Sequence, residues 1–282
     1  MKDQKTRDNK IVPIKNLVDR AINTFEQKGV LDTGWNKPPK PQSAKCIKCG
    51  AVIDWTFTEP IYWENRVFAG TGIWEKPELC NKCLELKLMA EQQTENERLY
   101  QSRIQRSGLY PKHLKKRFDN RLGNEDGAVK LCNRFCQKQD FNLFLWGGSG
   151  LKKTHLLSAV ANELLKSKDI RFWRTPDFLN NIRKITTEFG SADADDFLKA
   201  EVENGAPLLI DDIGAEKVTD FALEKFYNFF DFCDLYERKG IIVASNLDLK
   251  SLSERLSDRI TSRMAGLFKT REVKGEDWRV KR

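Results

Sequence analysis

The sequence predicts an α/β protein in which helices flank a parallel sheet, preceded by a small metal-binding module and an N-terminal helix. From about residue 122, short apolar strands alternate with helical stretches, as the crossovers of a parallel sheet require. A glycine-rich turn joins the first of these strands to an amphipathic helix. Upstream, two Cys-x-x-Cys pairs lie about thirty residues apart.

Five apolar segments account for the strands of this sheet. Each is four to eight residues long, and a polar or helical stretch separates it from the next, so we expect a parallel arrangement. The predicted strands cover residues 141–147, 170–174, 207–211, 240–246 and 266–273.

Three segments are predicted along the chain. Residues 1–44 contain an amphipathic helix over 11–29 and a Pro-rich extended linker. Residues 45–107 form a cysteine module followed by a connecting helix, and residues 108–282 form the sheet domain. Within the junction, Lys112, Lys115, Lys116 and Arg117 form a basic cluster, which DNA contact and a solvated linker explain equally well.

Bulk composition limits the class of protein. Of 282 residues, 40% are hydrophobic and 32% are charged, which is typical of a globular chain. No apolar run is long enough to span a bilayer, and the polar N-terminus does not resemble a secretory signal. We therefore expect a cytoplasmic protein with no membrane partner. The net charge of +8 fits either a polyanionic partner or a merely basic surface.

The cysteine pairs predict a structural zinc site. Each Cys-x-x-Cys turn directs two thiolates at one tetrahedral ion, and the two turns together supply Cys46, Cys49, Cys80 and Cys83. Four sulfur ligands leave no open position, so we do not expect catalysis there. The other three cysteines, Cys132, Cys136 and Cys233, lie among apolar residues, and we interpret them as structural.

Aromatic residues lie between the two cysteine pairs and allow two interpretations. They could stack on unpaired bases, or they could form the core of a very small domain. We favour the core interpretation for this set, which comprises Trp55, Tyr62, Trp63 and Trp74.

The stretch "GGSGLKKTH" follows the first strand and predicts a phosphate-binding loop. Such a loop directs backbone N–H groups and a helix N-terminus at the phosphates. Lys153 would reach the outer phosphates, and the Thr154 hydroxyl would bind Mg²⁺. The predicted nucleotide-binding residues of the loop are Gly147, Gly148, Ser149, Gly150, Leu151, Lys152, Lys153, Thr154 and His155.

One residue departs from the loop template, because Lys152 stands where the second glycine belongs. If the backbone there needs a positive φ, the strain is about 1 kcal/mol, which weakens binding less than tenfold. A side chain forced into phosphate space would abolish binding, whereas one that swings outward could assist it. Since the other parts of the site are retained, we expect a working site with slow hydrolysis.

Polar residues at the ends of two later strands complete the predicted site. Asp211 would hold Mg²⁺, and Asp212 could polarise the attacking water. Asn246 could contact that water or the γ-phosphate. Further on, the spacing of four predicts that Arg255, Arg259 and Arg263 share one helix face. This face is either solvated or supplies an arginine finger to a neighbouring subunit's phosphate.

The order of these motifs resembles the AAA+ ATPases, and among them the DnaC/DnaI-type helicase loaders and the related IstB transposition ATPases. The matching stretches are "GGSGLKKTHL", "LLIDDIGAE", "VASNLDL", "DRITSRM" and "GEDWRVKR", within residues 108–282. The resemblance implies the finger role for Arg263 and a supporting role for Arg259. It also implies ATP with Mg²⁺ and self-association into a helical or ring-like oligomer.

The resemblance favours one function over two alternatives. The favoured function is ATP-dependent loading of a DnaB-type replicative helicase onto single-stranded DNA, with the zinc module contacting the helicase as in DnaI-like loaders. The first alternative is an IstB/TnsC-like transposition ATPase that binds target DNA. The second is a zinc-stapled adaptor whose nucleotide site is degenerate and does not hydrolyse ATP.

Overall fold

The computed structural model forms two compact units, Met1–Ala90 and Glu91–Arg282. The predicted helix over 11–29 and nearly all of "GEDWRVKR" lie outside the described residues. Side chains are not described within 61–69. No helix of the described part is long and apolar enough to cross a membrane. The described residues are 37–58, 61–63, 66–69, 74–118, 127–215 and 218–275.

Among its described residues, the first unit contains three two-stranded antiparallel pairs, β1–β2, β3–β6 and β4–β5, and the start of helix α1 (Asn81–Ser107). Its described core is small: Cys46, Ile53 and Cys83 are buried, with Ala44, Leu79 and Cys80 packed against them. The six strands are β1 (Ala44–Lys45), β2 (Val52–Ile53), β3 (Thr56–Phe57), β4 (Ile61–Trp63), β5 (Arg66–Ala69) and β6 (Trp74–Glu75).

Two of the aromatic residues do not form the core that the sequence suggested. Trp55 and Trp74 are half-buried, and their indole N–H groups donate to the backbone carbonyls of Gln42 and Pro38. These hydrogen bonds tie both rings to the Pro-rich segment, and neither ring belongs to the buried cluster around the cysteines. Lys37 adds a cation–π contact over the Trp74 ring at 5.0 Å. The side chains of Tyr62 and Trp63 lie outside the described part.

The second unit is a five-stranded parallel sheet with helices on both faces, as predicted. The strand order is β11-β7-β10-β9-β8, and every predicted strand is observed within two residues at each end. The strands are β7 (Asn142–Trp146), β8 (Arg171–Arg174), β9 (Leu208–Ile213), β10 (Ile241–Ser245) and β11 (Phe268–Glu272).

Helices follow the strands along the chain and cover the sheet. The last turns of α1 belong to this unit, where Tyr100 and Ile104 pack on the core. A short 3-10 turn, Pro111–His113, comes next. The remaining helices are α2 (Gly127–Gln137), α3 (Lys153–Leu165), α4 (Thr175–Glu188), α5 (Ser191–Glu203), α6 (Asp220–Leu235), α7 (Leu249–Arg255) and α8 (Asp258–Leu267).

Alternating side chains divide the core between the two faces of the sheet. Leu209 and Ile242 pack with α2 and α3 on one face, whereas Ile210 and Val243 pack with α4 to α8 on the other. Because successive strand residues point to opposite faces, Asp211 lies on the Leu209 face, which carries α3. This alternation directs the carboxylate of Asp211 towards the helix that follows the glycine-rich loop.

Candidate nucleotide site and cysteine cluster

The glycine-rich loop connects β7 to α3 at the carboxyl end of the sheet. Gly147 has φ +153°, and a Cβ there would lie 2.6 Å from the backbone oxygen of Val273, so a larger residue does not fit. Val273 in turn donates its N–H to the carbonyl of Trp146 at 2.7 Å. Gly148 and Ser149 are exposed at the tip of the loop, and Leu151 packs on the core.

Lys152 adopts the left-handed conformation, with φ 61° and ψ 20°. It occupies the residue just before α3, and its carbonyl accepts the hydrogen bond of the Leu156 N–H at 2.9 Å. The positive φ considered above is therefore present, and a non-glycine residue there costs about 1 kcal/mol. The side chain of Lys152 is half-buried.

The ammonium group of Lys153 is bound inside the loop. Its Nζ donates to the carbonyls of Gly147 at 2.7 Å and Gly148 at 2.8 Å, and to Oδ1 of Asn246 at 2.7 Å. The amide nitrogen of Asn246 donates to Oδ1 of Asp212 at 2.6 Å. These hydrogen bonds bring together the loop and the ends of β10 and β9, as expected for a shared site.

Asp211 lies next to Thr154 at the end of β9. Burial raises the pKa of its carboxyl group to about 6, while a hydrogen bond from Thr154 acts in the opposite direction. The neighbouring charge of Asp212 also raises this pKa, whereas Arg174 and Lys153 lower it. A divalent cation held between Asp211 and Thr154 would favour the charged carboxylate, so this donor pair fits Mg²⁺.

Two residues with strained backbone border this site. Among the described residues, the non-glycine residues with positive φ are Lys152, Asp212 and Glu237. Asp212 has φ 66°, which aims its carboxylate at Asn246. Strain of this kind persists only where surrounding contacts impose it, and it concentrates at functional sites.

Arg174 is a site residue that the sequence analysis missed. It is the parallel partner of Asp211 at the end of β8, and the Thr175 hydroxyl donates to the Asp211 carbonyl at 3.0 Å. Arg174 also shares a sheet face with Phe172, which packs in the same cluster as α3. Only the strand order reveals this position, because Thr175, the next residue after Arg174, is 36 positions from Asp211 in the sequence.

The basic junction is a fixed turn packed on α3. His113 is buried, and its ring Nδ1 lies 2.8 Å from Oγ of Ser158, which itself donates to the Thr154 carbonyl at 2.6 Å. The single Ser158 proton is used in that bond, so the His113 Nδ1–H is the donor. Asn162 donates to the carbonyls of His113 at 2.8 Å and Lys116 at 2.9 Å.

The side chains of this turn are in part used within it, since the Arg117 guanidinium donates to the carbonyls of Leu114 at 2.7 Å and Lys116 at 2.9 Å. His155, predicted as a nucleotide-binding residue, lies with Nε2 3.0 Å from the Arg117 carbonyl oxygen and so helps hold the turn. Lys112, Lys115 and Arg117 are exposed. None of the basic cluster's four side chains forms an ion pair with a residue in the described ranges.

The two predicted finger arginines lie on α8 and contact α6, whereas Arg255 ends α7, so the predicted helix face shared by all three arginines is wrong. Arg263 forms an ion pair with Asp231, and its guanidinium lies 4.4 Å from the Tyr227 ring centroid. Arg259 lies 4.9 Å from the same centroid. Within the described part of the chain, neither arginine forms a hydrogen bond or ion pair with residues 147–155.

The four cysteines of the first unit come together as the sequence predicts. Their sulfur atoms all lie within 4.8 Å of one another, and Cys49 Sγ is 3.6 Å from Cys80 Sγ. A tetrahedral zinc site with Zn–S bonds of about 2.3 Å separates its sulfurs by about 3.8 Å. The donor set and spacing therefore fit a four-coordinate zinc ion.

Hydrogen bonds in the turns shape this cluster, and hydrogen bonding gives two of its thiols different pKa values. Gly50 donates its N–H to the Cys46 carbonyl at 2.9 Å, which closes the first turn. A backbone hydrogen bond from Cys80 lowers the pKa of Cys46 to about 6, although burial opposes it. Hydrogen bonds to the Cys49 and Cys80 thiols raise the pKa of Cys83 to about 12. Four thiolates this close need a cation to offset their repulsion.

The sheet order, the loop between β7 and α3, and the carboxylates at the end of β9 define a P-loop nucleoside triphosphatase of the AAA+ class. The predicted class is confirmed. Residues 118–270, more than half of the chain, match the family described as "Bacterial DnaA ATPAse domain". The chain belongs to that family.

Curated relatives of the chain are chromosomal replication initiator proteins named DnaA. The protein of Streptococcus equi subsp. zooepidemicus (strain H70) is 29% identical over 224 residues, covering 72% of this chain and 48% of the relative. That of Neisseria meningitidis serogroup B is 31% identical over 131 residues, covering 45% of this chain and 24% of the relative. The chain thus spans a quarter to a half of these relatives.

Solved structures with a similar fold include DnaA and the helicase loaders. AMPPCP-bound DnaA from Aquifex aeolicus has TM-score 0.49 at 25% identity, covering 61% of this chain and 54% of that one. A DnaI structure has TM-score 0.49 at 22% identity, with coverage of 60% and 96%. The DnaC helicase loader has TM-score 0.48 at 23% identity, with coverage of 58% and 100%. The family assignment rests on the sequence match.

Proposed function

We propose that the chain is an ATP-dependent DNA replication protein that loads a DnaB-type ring helicase onto single-stranded DNA. The observation that carries the ATP-dependent part is the assembly of Lys153, Thr154, Asp211 and Asn246 at one edge of the sheet. Membership of the DnaA ATPase-domain family supports a role in replication. The choice of helicase loading rests on the motif resemblance described above.

The residues of the site have distinct roles in this proposal. Lys153 binds the outer phosphates, while Thr154 and Asp211 would hold Mg²⁺, which would supply positive charge to offset the charge that develops during phosphoryl transfer. Asp212 and Asn246 orient the attacking water, and Asp212 polarises it. Backbone N–H groups of the loop and the N-terminus of α3 supply fixed positive ends of dipoles for the phosphates.

Nucleotide binding requires a change of partners at Lys153. Its ammonium must exchange two loop carbonyls and Asn246 for phosphate oxygens. Once Lys153 leaves, the Asn246 amide oxygen becomes available to the attacking water. Phosphate binding thereby frees Asn246 to position the attacking water. A single exchange of hydrogen bonds thus couples nucleotide binding to catalysis.

Three partner surfaces complete the proposal. The cysteine cluster holds structural zinc, and the first unit contacts the helicase. DNA phosphates bind basic side chains of the second unit, for which the fixed turn with Lys112, Lys115, Lys116 and Arg117 is the candidate. Self-association places Arg263, supported by Arg259, at the nucleotide of a neighbouring subunit.

A second candidate function is an adaptor that does not hydrolyse ATP. The observations that favour it are the left-handed Lys152 and the binding of the Lys153 ammonium inside its own loop. Both oppose phosphate binding relative to a glycine-containing loop with a free lysine.

Calorimetric titration with Mg·ATP and Mg·ADP tests the nucleotide site. We expect the wild-type chain to bind both nucleotides, Lys153→Ala to lose binding, and Lys152→Gly to bind somewhat more tightly. If the wild-type chain fails and only Lys152→Gly binds, the adaptor function replaces the loader.

Partner binding separates the loader from a transposition ATPase. We expect co-purification with a DnaB-type helicase, and tighter binding to single-stranded than to duplex DNA across a salt series. A preference for duplex DNA without helicase binding would contradict the loader proposal.

A further inference from the structure

On α6, the Tyr227 ring contacts both candidate finger arginines, and Asp231 pairs with Arg263. We infer that Tyr227 and Asp231 are positioning residues, which hold the guanidinium of Arg263 ready for the nucleotide of a neighbouring subunit. This inference rests on the proposed trans role of Arg263 and adds two residues that the motif resemblance does not include. Neither residue touches the nucleotide site of its own chain among the contacts of the described residues.

The geometry indicates that α6 holds the two arginine side chains in place, rather than leaving them as a solvated basic face. The α8 spacing of four places Arg259 and Arg263 on the helix face that packs against α6. Both guanidinium groups lie within 5 Å of the Tyr227 ring centroid, at 4.9 and 4.4 Å. The Arg263 side chain is only 27% exposed, so it is not a freely solvated charge.

The charges of the two arginines are balanced differently. Two guanidinium groups on one ring repel each other, and Asp231 offsets this by pairing with Arg263. Arg259 is exposed, and among the described residues it forms no ion pair. The cluster therefore keeps one excess positive charge, as a surface that receives a neighbour's phosphates requires.

An ordered finger has a kinetic advantage. A free arginine side chain samples many rotamers, and each encounter with a nucleotide would have to select one of them. Stacking on Tyr227 and pairing with Asp231 fix the Arg263 rotamer before the subunits associate. Misplacement of a catalytic group by about 1 Å lowers turnover by up to about a hundredfold, so losing the ring should reduce turnover by about tenfold or more.

A subunit-mixing experiment with the full chain tests the inference. A donor subunit with Lys153→Ala cannot hydrolyse ATP but offers an intact finger, whereas an acceptor with Arg263→Ala has an intact site but no finger. Mg·ATP turnover of the mixture reports the trans contact. Tyr227→Leu is then introduced into either the donor or the acceptor, with Tyr227→Phe as the matched control that keeps the ring.

We expect Tyr227→Leu to lower the turnover of the mixture about tenfold in the donor and to have no effect in the acceptor. Tyr227→Phe keeps the ring and loses only the hydroxyl that accepts from Arg259 at 3.5 Å, so it should retain clearly more turnover than Tyr227→Leu. Asp231→Asn in the donor should give a partial loss. Equal losses from the donor and the acceptor would show a general structural role and overturn the inference. If the mixture fails to regain turnover with Tyr227 intact, the proposed trans finger itself is wrong.

Discussion

The first unit buries Cys46, Ile53 and Cys83 as its described core, whereas the second unit buries two large clusters on opposite faces of its sheet. Around the small core, Ile47 and Val52 remain 72% and 68% exposed. In the second unit, by contrast, the side chains of β10 are buried from end to end.

This difference indicates two sources of order within one chain. Apolar burial stabilises the second unit, because each internal strand has a packed layer on both of its faces. The described part of the first unit has little apolar burial, so we expect this unit to depend on a metal cross-link among its four cysteines. Metal loss should therefore unfold the first unit, whereas truncation of a buried apolar side chain should destabilise the second unit.

The largest expected effect is the loss of the first unit's structure when zinc is removed. Structural zinc contributes on the order of 10 kcal/mol to small domains, more than this core can replace. We expect Cys80→Ser to lose bound zinc and the dispersed amide NMR signals of the first unit, with the unfolding midpoint of the second unit unchanged. Cys136→Ser, outside the cluster, is the control. A folded, zinc-free Cys80→Ser unit would contradict this account.

The second prediction is that a core truncation destabilises the second unit and leaves the first unit unchanged. Phe229 is fully buried and meets Phe178 and Phe230 edge-on at 5.6 and 5.1 Å. We expect Phe229→Ala to lower the free energy of unfolding of the second unit by about 3–5 kcal/mol, measured by denaturant titration. Bound zinc should stay at the wild-type stoichiometry. Parallel loss of zinc would mean that the units do not derive their order separately.

The sequence predicted the elements of the second unit well, because the five strands are short apolar runs between helices with clear periodicity. It also predicted the cysteine cluster, since Cys-x-x-Cys turns specify their own local geometry. It missed contacts set by strand order and by distant pairing. Arg174 meets Asp211, and His113 meets Ser158 across 45 residues, and no local pattern encodes either pair.

Trp55 and Trp74 show a different limit of the sequence. Their apolar character suggested a core, but the hydrogen bonds of their indole N–H groups hold them half-buried against the Pro-rich segment. In the loop, Lys152 at a template glycine position raised the question of backbone strain, and only the structure shows that its φ is positive.

The third prediction concerns strain in the second unit. Lys152→Gly should relieve about 1 kcal/mol at the loop and raise ATP affinity, by less than tenfold, in calorimetric titration. Glu237 also has a positive φ, of 48°, but lies after α6 and away from the loop. Glu237→Gly is therefore the matched control, with unchanged ATP affinity. Weaker ATP binding by Lys152→Gly would show that the lysine side chain contributes to the site.

The smallest expected effect arises at His113, whose pKa is lowered by burial. The unfolded chain takes up a proton near pH 6.5 while the folded chain resists it, so stability falls as the pH drops below about 6.5. The slope attributable to His113 stays below about 1.4 kcal/mol per pH unit. Comparing denaturant unfolding of the wild-type chain and His113→Asn at pH 7.5 and 5.5 isolates it. Identical pH dependence would contradict this assignment.

The position of β7 constrains how the protein is made on the ribosome. Leu143 pairs with Ile242 on one side, and Asn142 pairs with Phe268 on the other, so both sheet neighbours of this strand come much later in the chain. The strand that leads into the glycine-rich loop therefore emerges long before it can be paired. Nascent chains must hold an apolar segment without its partners until β11 is synthesised, and this interval is when they are exposed to aggregation and to chaperones.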